Sequence, residues 1–243
     1  MYAPEANLSD GRSSVSIPKE SKESLRQLFA DLQAERMRTM PRGELQINVN
    51  QRRLLEETAD RSGFVKAGDV LEPFSLPEVD GGIVTLDGIL AKGPAVLIFF
   101  RFAGCPACNI ALPYYQRQLI PELQELGVTV LAISPQVPER LVEIKRRYSF
   151  DFPVASDIAN ALARKLGILY SYDQPSRELA LSKGVDMGQV TGTGTWELPM
   201  PTVILVDRDR TVRFADVSPD WLVRTEAETI LDSVRPLVGA AVQ

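Results

Sequence analysis

The sequence predicts an α/β fold, a mixed central sheet flanked by helices, with an N-terminal helical extension in front of it. Three observations carry this reading. Apolar runs long enough for buried strands, at residues 95–100, 128–133 and 202–206, alternate with helical stretches, as they do in layered α/β folds. The last run passes through the polar turn Asp207-Arg208-Asp209-Arg210 into a returning strand and a closing helix, and that hairpin makes the sheet mixed. The two cysteines, Cys105 and Cys108, are separated by two residues and stand where the first of these strands hands over to a helix. A C-x-x-C beside a βαβ pattern reads as a redox motif.

In chain order, residues 1–64 form the extension and residues 65–243 the domain. The first 20 residues are polar and loose. Across residues 21–40, Leu25, Leu28, Phe29, Leu32 and Met37 recur at helical spacing, with Ser21 as the cap and Pro41 as the stop. A second helix is expected over residues 51–62, ended by Gly63. The apolar stripe of the first helix must be covered, either by its own domain or by a second copy of the chain in a homodimer.

Beyond Val65, the Gly81-Gly82 pair is a turn between short strand-like runs, and residues 86–90 make a helical turn. The helix after the cysteines covers residues 109–126. Pro113 should kink it, and Pro121 should kink or divide it. Residues 128–133 read as a buried parallel strand, followed by a helix over 138–148, a short strand over 152–155 and a helix over 158–166. Residues 171–195 are an insertion with one helix near 176–182 and a Gly/Thr-rich loop over 191–195. A strand over 202–206 pairs with 211–214, and a helix over 226–237 closes the chain.

Composition narrows the function. A chain of 243 residues with 44% hydrophobic and 24% charged content is an ordinary globular protein. A net charge of −5 argues against nucleic acid as the main partner. No apolar run approaches the length of a membrane span, so no membrane partner is expected. The first ten residues lack the basic start and apolar core of a signal peptide, which points to the cytoplasm. The absence of histidine excludes Ser-His-Asp and Cys-His catalysis. A zinc site needs about four ligands, and there is neither a second cysteine pair nor a histidine. Attached haem would need histidine after the second cysteine, where Asn109 stands. No metal or organic cofactor is implied.

The placement of the cysteines sets their chemistry. A sulfur at a helix start meets unpaired N–H groups and the positive end of the helix dipole, which favour the nucleophilic thiolate. Cys105, at the turn, is expected to be the more exposed and to attack. Cys108, one helical turn further in, is expected to resolve the product as a disulfide. Arg101, four residues before Cys105, supplies a positive charge that favours the thiolate. The alternative is a pair of inert core cysteines.

Cys105-Pro106-Ala107-Cys108 at the head of a helix, with Pro113 five residues after the second cysteine, resembles the thioredoxin fold, as does Met200-Pro201-Thr202 opening a later strand. In that fold the corresponding proline has a cis peptide bond and lies against the cysteine pair. The closer resemblance is to bacterial peroxiredoxin-like proteins of the AhpC/TSA group. It covers roughly residues 65–235 and rests on Arg101, on Leu131-Ala132-Ile133-Ser134-Pro135-Gln136, on Phe152-Pro153-Val154 with Ser156-Asp157, on Trp196-Glu197-Leu198-Pro199, and on the 206–214 hairpin. Peroxiredoxins proper carry a threonine where Phe102 stands and an arginine where Pro201 stands. Thioredoxins carry a buried aspartate where Phe99 stands and a tryptophan where Gly104 stands. Glu197 is then a candidate substitute proton acceptor, or else a solvated loop carboxylate.

The resemblance implies a thiol-dependent oxidoreductase with an antioxidant role. Cys105, Cys108 and Arg101 would be catalytic, and Pro201, Trp196 and Glu197 would contact substrate. The substrate would be a hydroperoxide and the electron donor a thioredoxin-like protein. Two alternatives stay open: exchange with protein disulfides, which the missing threonine and arginine favour, and a non-enzymatic thioredoxin-fold binding protein.

Overall fold

A computed structural model describes residues 23–240. The polar tail and the Ser21 cap fall outside those residues. In chain order the elements are α1 (Leu25–Thr39), α2 (Arg42–Thr58), β1 (Ser75–Pro77), β2 (Ile83–Thr85), α3 (Leu86–Leu90), β3 (Ala95–Phe99), α4 (Cys108–Gln118), α5 (Ile120–Glu125), β4 (Thr129–Ser134), α6 (Pro138–Tyr148), β5 (Val154–Ser156), α7 (Ala161–Lys165), β6 (Leu169–Ser171), α8 (Gln174–Ser182), α9 (Met187–Thr191), β7 (Glu197–Pro199), β8 (Thr202–Val206), β9 (Val212–Val217) and α10 (Ala227–Ala240).

The central sheet has the order β5-β4-β3-β8-β9. β3 runs parallel to β4 and antiparallel to β8, so the sheet is mixed. Every residue of β3 is buried because both faces are covered, and its sequence is therefore apolar throughout instead of alternating. Its side chains still alternate between two cores: Val96 and Ile98 join the layer containing α1, α4 and α10, while Ala95, Leu97 and Phe99 join the layer containing α3 and α7. β3 thus delivers its C-terminal end, and the residues just after it, into the middle of the molecule.

Several elements differ from the sequence reading. α1 is capped by Ser24, whose hydroxyl accepts from the N–H of Gln27. α2 starts at Arg42, directly after Pro41, because a proline stop for one helix is also a good start for the next. The helix after the cysteines runs through Pro113 and divides at Leu119, with Pro121 in the first turn of α5. The helix expected over 158–166 is interrupted by left-handed Ala159 and Asn160, after which Asp157 accepts from the N–H groups of Leu162 and Ala163. The insertion holds two helices, α8 and α9, and is closed at its base by the antiparallel ribbon β6–β7, which the sequence reading missed. The Met200–Pro201 bond is trans. The chain passes straight from β7 into β8 there, with the Met200 N–H donating to Ile168 and the Pro201 carbonyl accepting from Ser218.

The extension packs on its own domain. Leu25 and Phe29 are buried in the same core as Tyr114, Tyr115 and Ile230. The Glu226 carboxylate accepts from the N–H groups of Leu25 and Arg26 at 3.0 and 2.9 Å, and from Tyr114 at 2.8 Å. It thereby satisfies two of the donors that a helix start leaves unpaired. α2 is pinned by Arg52, which donates twice to Asp220 at 2.6 Å, and by Gln51, which accepts from the Trp221 indole at 3.1 Å. Leu25 and Phe29 of the α1 stripe are therefore covered intramolecularly, while Met37 at its far end is 68% exposed. Leu25→Ala should cost about 2–5 kcal/mol, read as a lower urea midpoint that does not change with protein concentration. A midpoint that moves with concentration would mean that a second chain covers the helix.

Candidate active site

The segment between β3 and α4 is held by buried side chains. The Ala103 N–H donates to the Gln136 amide oxygen at 2.7 Å, and Ser134 donates to the Arg101 carbonyl at 3.0 Å. Asn109 reaches back to the carbonyls of Ala103 and Cys105 at 2.7 and 2.8 Å. These bonds satisfy the irregular backbone and fix where Arg101 and Cys105 point.

Cys105 precedes the first turn of α4, and its sulfur accepts from the Cys108 N–H at 3.4 Å. The Arg101 guanidinium lies 3.9 Å from the same sulfur. Burial works to raise the Cys105 pKa, but a hydrogen bond from the Cys108 thiol, the charges of Arg101 and Arg224, and the Cys108 N–H together outweigh it and lower the pKa to about 5. Cys108 moves the other way: burial, its bond to Cys105 and the Cys105 charge raise its pKa, against Arg224 and Arg101. Both thiols are free, and their surroundings drive the two pKa values in opposite directions.

The expected difference in exposure is absent. Cys105 and Cys108 are each 1% exposed, because the extension and the insertion roof over the turn that the sequence placed at the surface. Cys105 instead lines a cavity of about 380 Å³, shared with Arg36, Gln51, Arg101, Ser176 and Trp221. A larger cavity of about 810 Å³, between residues 62–76 and α7, contains neither cysteine.

Arg101 is buried, 6% exposed. It donates to the Tyr172 hydroxyl, and its guanidinium carbon lies 5.0 Å from the Trp221 ring centre and 5.5 Å from those of Tyr172 and Phe102. The aromatic faces stabilise the charge.

The other site residues named from sequence divide. Trp196 packs against Tyr172, with ring centres 5.7 Å apart, so it supports the Arg101 cage from behind. Pro201 lies beside Cys108 and Arg224 around a void of about 10 Å³, room for one water at most, so it does not shape the cavity over Cys105. Glu197 is not brought to the cysteines. Its carboxylate takes a two-pronged bond from Arg164 at 3.2 and 2.6 Å, and that bond lowers its pKa. The sequence reading missed Arg224, which reaches the Cys108 sulfur at 3.9 Å, and also Tyr172, Trp221 and Arg36. Trp221 and Arg224, separated by buried Leu222 and exposed Val223, carry no signal in the sequence beyond being large or charged residues before the last helix.

Residues 67–215 match the AhpC/TSA family. The chain belongs to that family. This AhpC/TSA protein is peroxiredoxin-like, with the fold of solved peroxiredoxins, and is an enzyme. Peroxiredoxin Bcp of Escherichia coli K12 is 33% identical to it over 105 residues, which cover 43% of this chain and 65% of that protein. Among solved structures, peroxidoxin BcpB from Mycobacterium tuberculosis superposes with a TM-score of 0.56 at 23% identity, over 71% of this chain and 98% of that one. Reduced 2-Cys peroxiredoxin from Plasmodium vivax gives 0.56 at 14% identity, over 74% and 100%. α1 and α2, which wall the cysteine cavity, precede the residues matched to the family.

The reactivity of this AhpC/TSA protein should follow the two shifted thiols. The lowered pKa means that Cys105 loses its proton, and becomes reactive, as pH rises through about 5. Its alkylation by neutral iodoacetamide should reach half its maximum there and be level by neutral pH, while Cys108 stays unmodified. Arg224→Met should move the midpoint upward. A midpoint near the ordinary thiol value, about 8.5, would overturn the assignment.

Proposed function

We propose that the protein is a thiol peroxidase in which Cys105 reduces hydroperoxides and Cys108 resolves the product, with an antioxidant role. The observation that carries this reading is the Cys105 sulfur, held by the Cys108 N–H and faced by the caged Arg101 guanidinium at the floor of a cavity.

The Cys105 thiolate attacks the terminal oxygen of ROOH. An S–O bond forms as the O–O bond breaks, leaving Cys105 as a sulfenic acid and releasing RO⁻, which takes a proton from solvent to become ROH. Arg101 offsets the negative charge before and during this step. The Cys108 thiolate then attacks the Cys105 sulfur, expelling hydroxide, which leaves as water with the Cys108 proton, and the disulfide forms. The Cys105 charge is one of the causes that raise the Cys108 pKa. Oxidation of Cys105 removes that charge, and Arg224 and Arg101 remain. Cys108 therefore becomes more acidic only when its turn to react arrives. An outside dithiol, of the thioredoxin-like kind, returns both sulfurs to thiols by exchange. The reaction sums to ROOH plus dithiol giving ROH, water and disulfide.

A second reading, exchange with protein disulfides, is favoured by Phe102 and Pro201, which stand where peroxiredoxins carry their peroxide-aligning threonine and arginine. Burial of Cys105 weighs against it, because a folded disulfide partner cannot enter a cavity of about 380 Å³. Stopped-flow oxidation of the reduced protein by hydrogen peroxide, an organic hydroperoxide and a protein disulfide separates the two readings, with the hydroperoxides expected to be faster. Cys105→Ser should abolish the reaction. Cys108→Ser should allow one turnover and trap a sulfenic acid. Arg101→Met should slow the first step and raise the Cys105 midpoint by roughly 1–3 pH units. Reactivity kept in Cys105→Ser and lost in Cys108→Ser would reverse the roles.

A further inference from the structure

Cys105, Arg101 and Ser176 line one cavity. Arg101 is buried there with its guanidinium 3.9 Å from the Cys105 sulfur, so a molecule attacked by Cys105 must sit in this cavity.

Arg36 stands half-buried on α1. Arg38, Arg52, Arg53 and Arg61 of the same extension have carboxylate partners, and Arg26 and Arg42, which have none among the described residues, do not line this cavity. Among the described residues no carboxylate pairs with Arg36. Its guanidinium rests 5.3 Å from the centre of the Trp221 ring and lines the same cavity as Cys105, close enough for the two charges to interact. A guanidinium held in place by an aromatic face and partly desolvated, but not neutralised, is a prepared anion site. Met40, Leu179 and Trp221 add apolar wall beside the polar Asn48, Gln51 and Lys183.

On the peroxidase reading given above, we infer that the substrate is an organic hydroperoxide that carries an anionic group. Its anion is held by Arg36 of the extension. The extension is then part of the substrate site, and Arg36 determines specificity.

The test compares cumene hydroperoxide with its 4-carboxylate, two molecules that differ only in the charge remote from the peroxide. Wild type should prefer the carboxylate by about tenfold in kcat/KM. Arg36→Gln should bring the ratio close to one, and Arg36→Lys should retain most of it. A wild-type ratio near one, or a ratio unchanged in Arg36→Gln, overturns the inference. A binding measurement stands apart from turnover: 4-isopropylbenzoate should protect Cys105 from iodoacetamide in wild type and not in Arg36→Gln. Protection without reduction of either hydroperoxide would uphold the anion site and overturn the peroxidase reading. Absence of protection would overturn the anion site whatever the turnover.

Discussion

A guanidinium buried beside a sulfur is the contact on which the rest of this structure depends. Taking a cation out of water costs several kcal/mol even after relaxation. Arg101 meets that cost with the Tyr172 hydroxyl, three aromatic faces and the Cys105 sulfur at 3.9 Å. Each charge makes the other tolerable. The thiolate gives Arg101 an anion in a place where the neighbouring groups are aromatic, and Arg101 gives the thiolate a reason to exist in a place where burial alone would protonate it.

The parts that build this contact come from widely separated stretches of chain. β3 ends at Phe99 and carries Arg101 inward. The β6–β7 ribbon fixes Tyr172, whose N–H donates to the Trp196 carbonyl at 3.1 Å. Trp221 is held from the extension by Gln51. Loss of the extension would therefore do more than bare a helix-binding groove. It would free Trp221, open one side of the Arg101 cage, and let water screen the pair that acidifies Cys105.

The sequence made the sheet and the chemical centre legible and left the walls of the site obscure. β3, β4 and β8 were readable because strands covered on both faces must be apolar along their whole length, and the cysteine pair because its spacing at a strand–helix junction is rarely accidental. Arg101 was readable from its place four residues before Cys105. The burial of Cys105 was not, because it depends on α1, α2 and α8, which are far away in sequence and whose stripes show that they are covered without showing by what. Arg224 was missed for a related reason: an arginine in the loop before a last helix looks like any solvated charge until the fold brings it to 3.9 Å from Cys108. Glu197 misled because a carboxylate near a strand start has no address in sequence, and Arg164 claims it only once α7 has packed.

In the proposed peroxidase cycle the two arginines at the cysteines would also set a direction. In the dithiol state one negative sulfur lies among Arg101 and Arg224, so part of their charge is compensated. In the disulfide state neither sulfur carries charge, and the same two cations remain around the pair. The buried Arg101 then has lost its anion, which is the costly way to break such a pair. On that cycle the observed arrangement, with both sulfurs 1% exposed, would be stabilised most when Cys105 is a thiolate and least once the disulfide has formed. The charge that lowers the Cys105 pKa would then also favour exposure of the pair to its dithiol donor.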